Sequence, residues 1–173
     1  MLVTISGLPG SGTTTAGRLL AETLDWEFQS SGELFRAMAD ARGVTLAEFG
    51  ALAEEDKGID HELDARAVAL MGTGAGLVME GRLAGWMAFR DRFASIRVWL
   101  ESEGAIRAQR IADRDGGSAL EQRTQMAARE ASEVQRYRDY YDIEINSRKP
   151  YSLVIDSTAL APEAIVARIR EAL

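Results

Sequence analysis

The glycine-rich segment near the start of the chain is the first place where residue types and spacing point to chemistry. This segment, the phosphate loop (residues 7–14), reads GLPGSGTT and matches the phosphate-binding pattern GxxxxGK[ST], except that Thr13 stands at the lysine position. An apolar run over 2–6 predicts a buried strand before it, and amphipathic spacing predicts a helix over about 13–24. Such a turn directs backbone N–H groups and the helix dipole at one point, which favours phosphate. We expect the Thr14 hydroxyl to bind Mg²⁺ there.

The threonine in place of lysine leaves other interpretations open. A purely structural turn or a nucleotide-binding regulator without catalysis would also fit, and in a kinase the missing charge must come from Mg²⁺, arginines or backbone amides. A dinucleotide site is disfavoured, because Thr15 occupies the third glycine position and residues 29–30 are not acidic. A GTPase is disfavoured, because no lysine follows the single asparagine, Asn146.

Charged residues follow two further predicted strands. Arg36 comes shortly after the second strand, and Glu80 and Arg82 come at the end of an apolar run over 77–80. Ligands bind at the carboxyl edge of open α/β sheets, and buried charges are costly without partners. We therefore expect Glu80 to hold a Mg²⁺-bound water, and Arg82 and Arg36 to bind substrate groups. A mutual ion pair between Glu80 and Arg82 is the structural alternative.

Arginines are concentrated between residues 107 and 138 of a chain whose net charge is −7. Seven lie within 32 positions: Arg107, Arg110, Arg114, Arg123, Arg129, Arg136 and Arg138. Arg129, Glu133 and Arg136 share one face of a predicted helix. A solvated helix face would explain them, but beside a phosphate loop they favour an arginine clamp for phosphoryl transfer.

Composition excludes several classes of protein. A length of 173 residues with 46% hydrophobic residues predicts one domain with a real core. The absence of cysteine excludes thiolate metal sites and cysteine nucleophiles, and one histidine excludes histidine-rich metal sites. Net negative charge disfavours nucleic-acid partners. Without a signal peptide or a membrane-length apolar run, we expect a cytoplasmic protein that does not bind membranes and acts as a monomer.

Strands and helices alternate along the chain. Short apolar runs predict five strands, at 2–6, 26–29, 77–80, 96–100 and 153–155. Helices are predicted over 13–24, 32–74, 103–141 and 162–173, with breaks at Gly43, near 57–58, at Gly72 and at 116–117. This order is typical of a three-layer α/β fold with a five-stranded parallel sheet.

Taken together, these segments resemble the cytidylate kinases of the nucleoside monophosphate kinase group, in their short archaeal-type branch. The matching pieces, in order, are ISGLPGSGTTT, SSGELFRAMADARG, EFGALAEEDKGIDHELD, VMEGRLAGWM, RAQRIADRDG, REASEVQRYRDYYDIEI and YSLVIDST. The resemblance implies one P-loop kinase domain over 1–173, with a helical acceptor-binding region at about 31–74 and a lid at about 110–130. It implies transfer of the γ-phosphoryl group of ATP to CMP or dCMP, with Mg²⁺. Another small-molecule P-loop kinase, similar to adenylate or shikimate kinase, is the alternative.

The resemblance also implies roles for individual residues. The residues expected to bind ATP are Gly7, Leu8, Pro9, Gly10, Ser11, Gly12, Thr13, Thr14 and Thr15, with Asp156, Ser157 and Thr158 beside the adenine. Those expected around CMP are Ser31 and Arg36 at its phosphate, Arg82 at the cytosine edge, and Arg129 and Glu133 at the ribose. Arg110 and Arg136 resemble phosphate clamps, and Arg114 resembles a lid arginine that reaches the transferred group. Glu80 departs from the aspartate of longer relatives, whose large acceptor insertion is also absent here.

Overall fold

Five parallel strands form one twisted sheet in this computed structural model, which describes residues 1–73 and 76–173. The strand order is β2-β3-β1-β4-β5. The strands are β1 Leu2–Gly7, β2 Glu27–Ser30, β3 Leu77–Glu80, β4 Ser95–Glu101 and β5 Leu153–Asp156. The predicted five-stranded parallel sheet is confirmed, and each strand lies within one residue of its predicted bounds.

The central strand places the phosphate loop in the middle of the sheet. All six residues of β1 are buried, and β1 pairs with β3 on one side and β4 on the other. The chain adds β2 and β3 on one side of β1 and then β4 and β5 on the other, so the topology reverses at β1. In open α/β sheets, ligands bind outside the carboxyl ends of the strands at such a reversal.

Eight helices connect the strands and cover both faces in the described part of the chain. They are α1 Thr13–Leu24, α2 Ser31–Ala41, α3 Leu46–Glu55, α4 Lys57–Met71, α5 Ala84–Arg90, α6 Gly104–Asp115, α7 Ala119–Tyr141 and α8 Pro162–Arg170. Every predicted break falls between two helices or at a helix end. Residue 74, the end of the predicted helical region, lies outside the described residues. None of the described helices is long and apolar enough to span a membrane.

Among the described elements, only helix α5 was not predicted from the sequence. It has seven residues and contains Gly85, so it carries little helical periodicity and a residue that disfavours helices. Packing explains it: Ala84 to Ala88 are all buried, and the Tyr151 ring lies where a side chain at position 85 would be. Tertiary contacts therefore override local propensity here.

In the described residues, two apolar layers and two smaller clusters make up the core, and one of the smaller clusters consists of Ala108, Ile111 and Met126 of α6 and α7. Helices α1 and α8 pack on one face of the sheet, around Leu20, Ile165 and Ile169. The other face packs on α4, α5 and α7 through Trp86 and Tyr137. Helices α2, α3 and α4 share their own cluster, which consists of Met38, Ala39, Phe49, Ala53 and Ile59.

Candidate active site

The phosphate loop is shaped by two glycines in the left-handed region. Gly10 has φ 79° and Gly12 has φ 91°, which other residues adopt only with strain. A side chain on Gly10 would also place its Cβ 2.5 Å from the Arg107 carbonyl oxygen. Gly12 is the N-cap residue of α1, and no side chain of the described residues caps this helix end. The first amides of α1 are therefore available to an anion.

Three arginines donate hydrogen bonds to backbone carbonyl groups of the phosphate loop. Arg82 donates to the Gly7 oxygen, Arg107 Nη1 to the Pro9 oxygen at 3.0 Å, and Arg110 Nη1 to the Gly10 oxygen at 3.5 Å. Arg110 also donates to the carbonyl oxygens of Ser157 at 2.7 Å and Thr158 at 3.2 Å. These guanidinium groups hold the loop itself, which the sequence analysis did not predict.

Glu80 accepts hydrogen bonds from two hydroxyl groups. Thr13 Oγ1 donates to its Oε1 at 2.9 Å, and Ser30 Oγ donates to its Oε2 at 2.6 Å. Ser30 also accepts from the Glu33 amide as the N-cap of α2. The residue at the lysine position therefore orients the carboxylate at the end of β3. The alternative ion pair between Glu80 and Arg82 is not formed.

Arg82 instead pairs with Glu133 of α7. Arg82 Nε donates to Glu133 Oε2 at 2.6 Å, and Arg129 Nε donates to Glu133 Oε1 at 2.9 Å. The Arg82 and Glu133 side chains are only 14% and 6% exposed. Burial by itself would raise the pKa of Glu133, but the two guanidinium groups outweigh it and hold the pKa below its ordinary value. Glu133 is therefore ionised at neutral pH.

Two clefts meet at the phosphate loop. The β3 cleft, of about 260 Å³, lies between the loop, the ends of β2 and β3, and α7. The α8 cleft, of about 350 Å³, lies between the loop, α6 and the start of α8. Both are lined by Thr13, Thr14 and Arg114. The arrangement can hold two ligands whose ends meet at the start of α1.

The two clefts differ in chemistry. The β3 cleft brings together charged side chains that the sequence singled out, namely Arg36, Glu80, Arg82, Arg114 and Arg129. Besides the residues that line both clefts, the α8 cleft is lined by Arg110 and by three apolar side chains, namely Leu160, Pro162 and Ile165. The first suits an anion, and the second suits a flat, weakly polar group such as a base.

Several predicted site residues lie outside the linings of both clefts. Ser31 packs against Gly81, and Ser157 Oγ donates to the carbonyl oxygens of Ser11 and Glu101, both at 2.8 Å. Glu133 lies behind Arg82 and Arg129. The roles of these residues stay predictions.

Arg136 forms an ion pair with helix α4. Its Nη1 lies 3.2 Å from Asp60 Oδ2, and the two side chains are nearly buried. Burial raises the pKa of Asp60, with Arg136 opposing the shift, and burial also raises the pKa of Asp64 to about 7. Arg136 thus joins α7 to α4, and its expected clamp role stays a prediction.

Functional candidates that sequence reasoning missed are Ser30, Asp60 and Glu130, while Arg107 was counted among the clustered arginines without a role of its own. Helical spacing was a usable signal for Arg107 and Glu130. Arg107 lies three residues before Arg110 on α6, and Glu130 lies three residues before Glu133 on α7, so each shares a helix face with a residue already singled out. Their partners are distant in sequence, so spacing alone could not assign the contacts.

Thr14 and Glu80 fit a magnesium ion that is held mainly by phosphate oxygens and water. Thr14 lines both clefts, and the Glu80 carboxylate lies at the end of β3, in the β3 cleft. The described residues contain no group of three or more His, Cys, Asp or Glu that could hold a metal ion. Mg²⁺ in kinase sites uses one or two protein ligands and substrate phosphates, which matches this donor set.

A phosphate loop at the topological reversal of a parallel sheet, beside an arginine-lined cleft, defines the class of P-loop kinases. The shikimate kinase of Bacteroides thetaiotaomicron has the same fold, with a TM-score of 0.65 at 16% identity over 99% of this chain and 97% of that one. The model of the cytidylate kinase-like family matches residues 2–159, and the chain belongs to that family. It is 47% identical to the cytidylate kinase of Methanococcoides burtonii over 91% of this chain and 88% of that protein. It is 42% identical to the cytidylate kinase of Methanospirillum hungatei over 100% of this chain and 96% of that protein. The resemblance stated from the sequence is confirmed.

Proposed function

We propose that this protein is a cytidylate kinase that transfers the γ-phosphoryl group of ATP to CMP or dCMP and forms ADP and CDP or dCDP. The observation that carries the proposal is the pair of clefts that meet at Thr13 and Thr14, one lined by arginines and one largely apolar. An oxygen of the acceptor phosphate attacks the γ-phosphorus, and the bond from that phosphorus to the β-γ bridging oxygen breaks. Family membership supports this reaction over that of another small-molecule kinase or a regulator without catalysis.

ATP is assigned to the phosphate loop and the α8 cleft. The loop amides and the start of α1 bind its phosphates, because they are free of side-chain caps in the described structure. The adenine lies beside Leu160 and Ile165, near residues 156–158. Arg110 supports this side by connecting the loop to residues 157 and 158 through their carbonyl oxygens.

The acceptor is assigned to the β3 cleft. Arg36 has an exposed side chain at this cleft and can bind the CMP phosphate, with Ser31 nearby on the same helix. Arg82 faces the cytosine edge, and Arg129 faces the ribose. Both Glu133 oxygens already accept hydrogen bonds from these arginines, which supports a role for Glu133 in aligning them.

Thr14 and the water-linked carboxylate of Glu80 would hold Mg²⁺. When bound, the ion neutralises charge on the β- and γ-phosphates. Thr13 and Ser30 keep the Glu80 carboxylate in place through their hydroxyl groups.

The lid, at about 110–130, is proposed to close over both nucleotides and exclude water. Gly116 and Gly117 have φ 86° and 80° and separate α6 from α7, which suits a hinge. Arg114, at the end of α6, lines both clefts and can reach the transferred group. Water exclusion protects ATP from hydrolysis. Because one chain lines both clefts, a monomer is sufficient for this reaction.

The substrate proposal is tested with an assay that couples ADP release to a spectroscopic signal. We expect ATP consumption with CMP and dCMP, and turnover with UMP, AMP and shikimate at least tenfold slower. The Arg36→Met variant should lose most activity, whereas the same change at Arg170, exposed on α8, should not. Turnover of AMP or shikimate that is faster than turnover of CMP would contradict the proposal. Binding of ATP without phosphoryl transfer to any acceptor would contradict it as well.

A further inference from the structure

Arg107 of α6 is a buried arginine that none of the assigned roles uses. Its side chain is 10% exposed, and it is not among the described residues that line either cleft. Nε donates to the Ser102 oxygen at 3.2 Å, while Nη1 donates to the Pro9 oxygen at 3.0 Å and to Glu130 Oε1 at 2.5 Å. Its contacts are therefore with the protein, and any effect on a ligand passes through them.

The phosphate loop contacts Arg107 through both main chain and side chain. Gly10 approaches so closely that a Cβ there would lie 2.5 Å from the Arg107 carbonyl oxygen. The described chain has no cis peptide bond, so the carbonyl of Pro9 and the amide of Gly10 point in opposite directions within one peptide plane. A guanidinium group that holds the Pro9 oxygen therefore keeps the Gly10 N–H directed away from that guanidinium group. This fixes the orientation of one amide of the loop.

Glu130 connects this contact to α7. The carboxylate balances the charge of Arg107 at contact distance, so Arg107 contributes orientation to the loop rather than a free positive charge. One turn further along α7, Glu133 holds Arg82, which donates to the Gly7 oxygen. Two carboxylate–arginine pairs thus connect α7 to the loop at two carbonyl groups.

We propose that Arg107 is a positioning residue for the phosphates of ATP, acting through the Pro9 carbonyl and held in place by Glu130. This inference rests on one part of the proposed function, namely that the phosphate loop binds the phosphates of ATP. In a loop without lysine, the orientation of the amides carries more of the phosphate binding, and Arg107 secures it. Because Glu130 belongs to α7, a movement of α7 changes the loop as well.

The test compares binding of a non-hydrolysable ATP analogue and of CMP by calorimetric titration. Loss of a hydrogen bond from a charged group predicts that Arg107→Met raises the Kd of the analogue about tenfold or more, with the Kd of CMP within about twofold of wild type. Arg107→Lys should recover part of the loss, because an ammonium group can reach one of the two acceptors of Nη1. Glu130→Gln should weaken analogue binding less than Arg107→Met does. Arg170→Met, at an exposed position of α8, is the matched control and should leave both constants unchanged.

Thermal unfolding and CMP binding show whether each variant is folded. If Arg107→Met does not fold, Arg107→Lys and Glu130→Gln decide the question by the same selective loss of analogue affinity. Wild-type affinity for the analogue in folded variants would overturn the proposal, as would equal losses for the analogue and CMP. If the wild-type protein binds the analogue but does not phosphorylate CMP, the proposed function fails while the role of Arg107 is still measured.

Discussion

The buried ion pair between Arg82 and Glu133 gives a prediction about stability that can be measured without substrate. Removing one partner of a buried pair costs about 3–5 kcal/mol, because the remaining charge is left in a poorly solvated place. For Arg82→Met we expect the lower end, about 3 kcal/mol, since Arg129 still contacts Glu133. A typical domain has about 5–15 kcal/mol of unfolding free energy, so the variant should fold with a clearly lower urea midpoint.

A double-mutant cycle separates this pair from general damage. Glu133→Met should cost a similar amount, whereas Arg82→Met with Glu133→Met should lie within about 1 kcal/mol of wild type, because both charges are replaced by apolar groups. Arg129→Met is the control. Its side chain is 63% exposed, so it should cost under about 1 kcal/mol.

Urea unfolding at pH 7, followed by far-ultraviolet circular dichroism, measures the wild type and all four variants. The reasoning is refuted if Arg82→Met costs no more than Arg129→Met, or if the double variant shows the full sum of the single losses. The pH dependence gives a second check. The pKa of Glu133 is held below its ordinary value of 4.5, so the stabilisation is complete above that pH and is lost as the pH falls below it. The double variant should lack this acid-dependent loss.

Two further substitutions test the site and the cluster behind it. Thr13→Val removes the hydroxyl that donates to Glu80, so kcat/KM for ATP and CMP should fall about 10-fold to 100-fold, whereas Thr13→Ser should stay near wild type. Initial rates measure this, and a Thr13→Val enzyme with more than half the wild-type rate would contradict the role of the hydroxyl. Burial raises the pKa of Asp64 to about 7, so between about pH 4 and 7 the native protein retains a proton that the unfolded chain has released, and stability falls as pH rises. The Asp64→Asn variant should therefore be more stable than wild type at pH 8, and this difference in unfolding free energy should shrink toward pH 5. Urea unfolding at the two pH values measures it, and equal stabilities of variant and wild type at both would contradict the prediction.

The sequence predicted the fold well because its signals are local. Apolar runs bounded by glycine and polar residues located all five strands, and glycines located the helix breaks. The phosphate loop was also predictable, since its spacing and its place between strand and helix lie within a dozen residues. Helix α5 was missed because buried packing rather than periodicity stabilises it.

Partners of the charged residues could not be predicted from the sequence. The spacing of Arg129, Glu133 and Arg136 correctly placed them along one helix. However, Arg136 meets Asp60, 76 residues away, and Glu133 meets Arg82, 51 residues away. These pairings depend on how α7 crosses α4 and the end of β3, which no local pattern encodes.

The structure divides the arginines of the site into two groups with different tasks. One group is largely buried and donates to carbonyl groups or carboxylates of the protein: Arg82, Arg107, Arg110 and Arg136. The other group has exposed side chains at the β3 cleft: Arg36, Arg114 and Arg129. Buried guanidinium groups that pair with the protein hold the loop and helices in place, while exposed ones can exchange water for phosphate oxygens at lower cost. Under the proposed function, a loop without lysine does not require one substitute cation, because the exposed group would supply charge and the buried group would supply orientation.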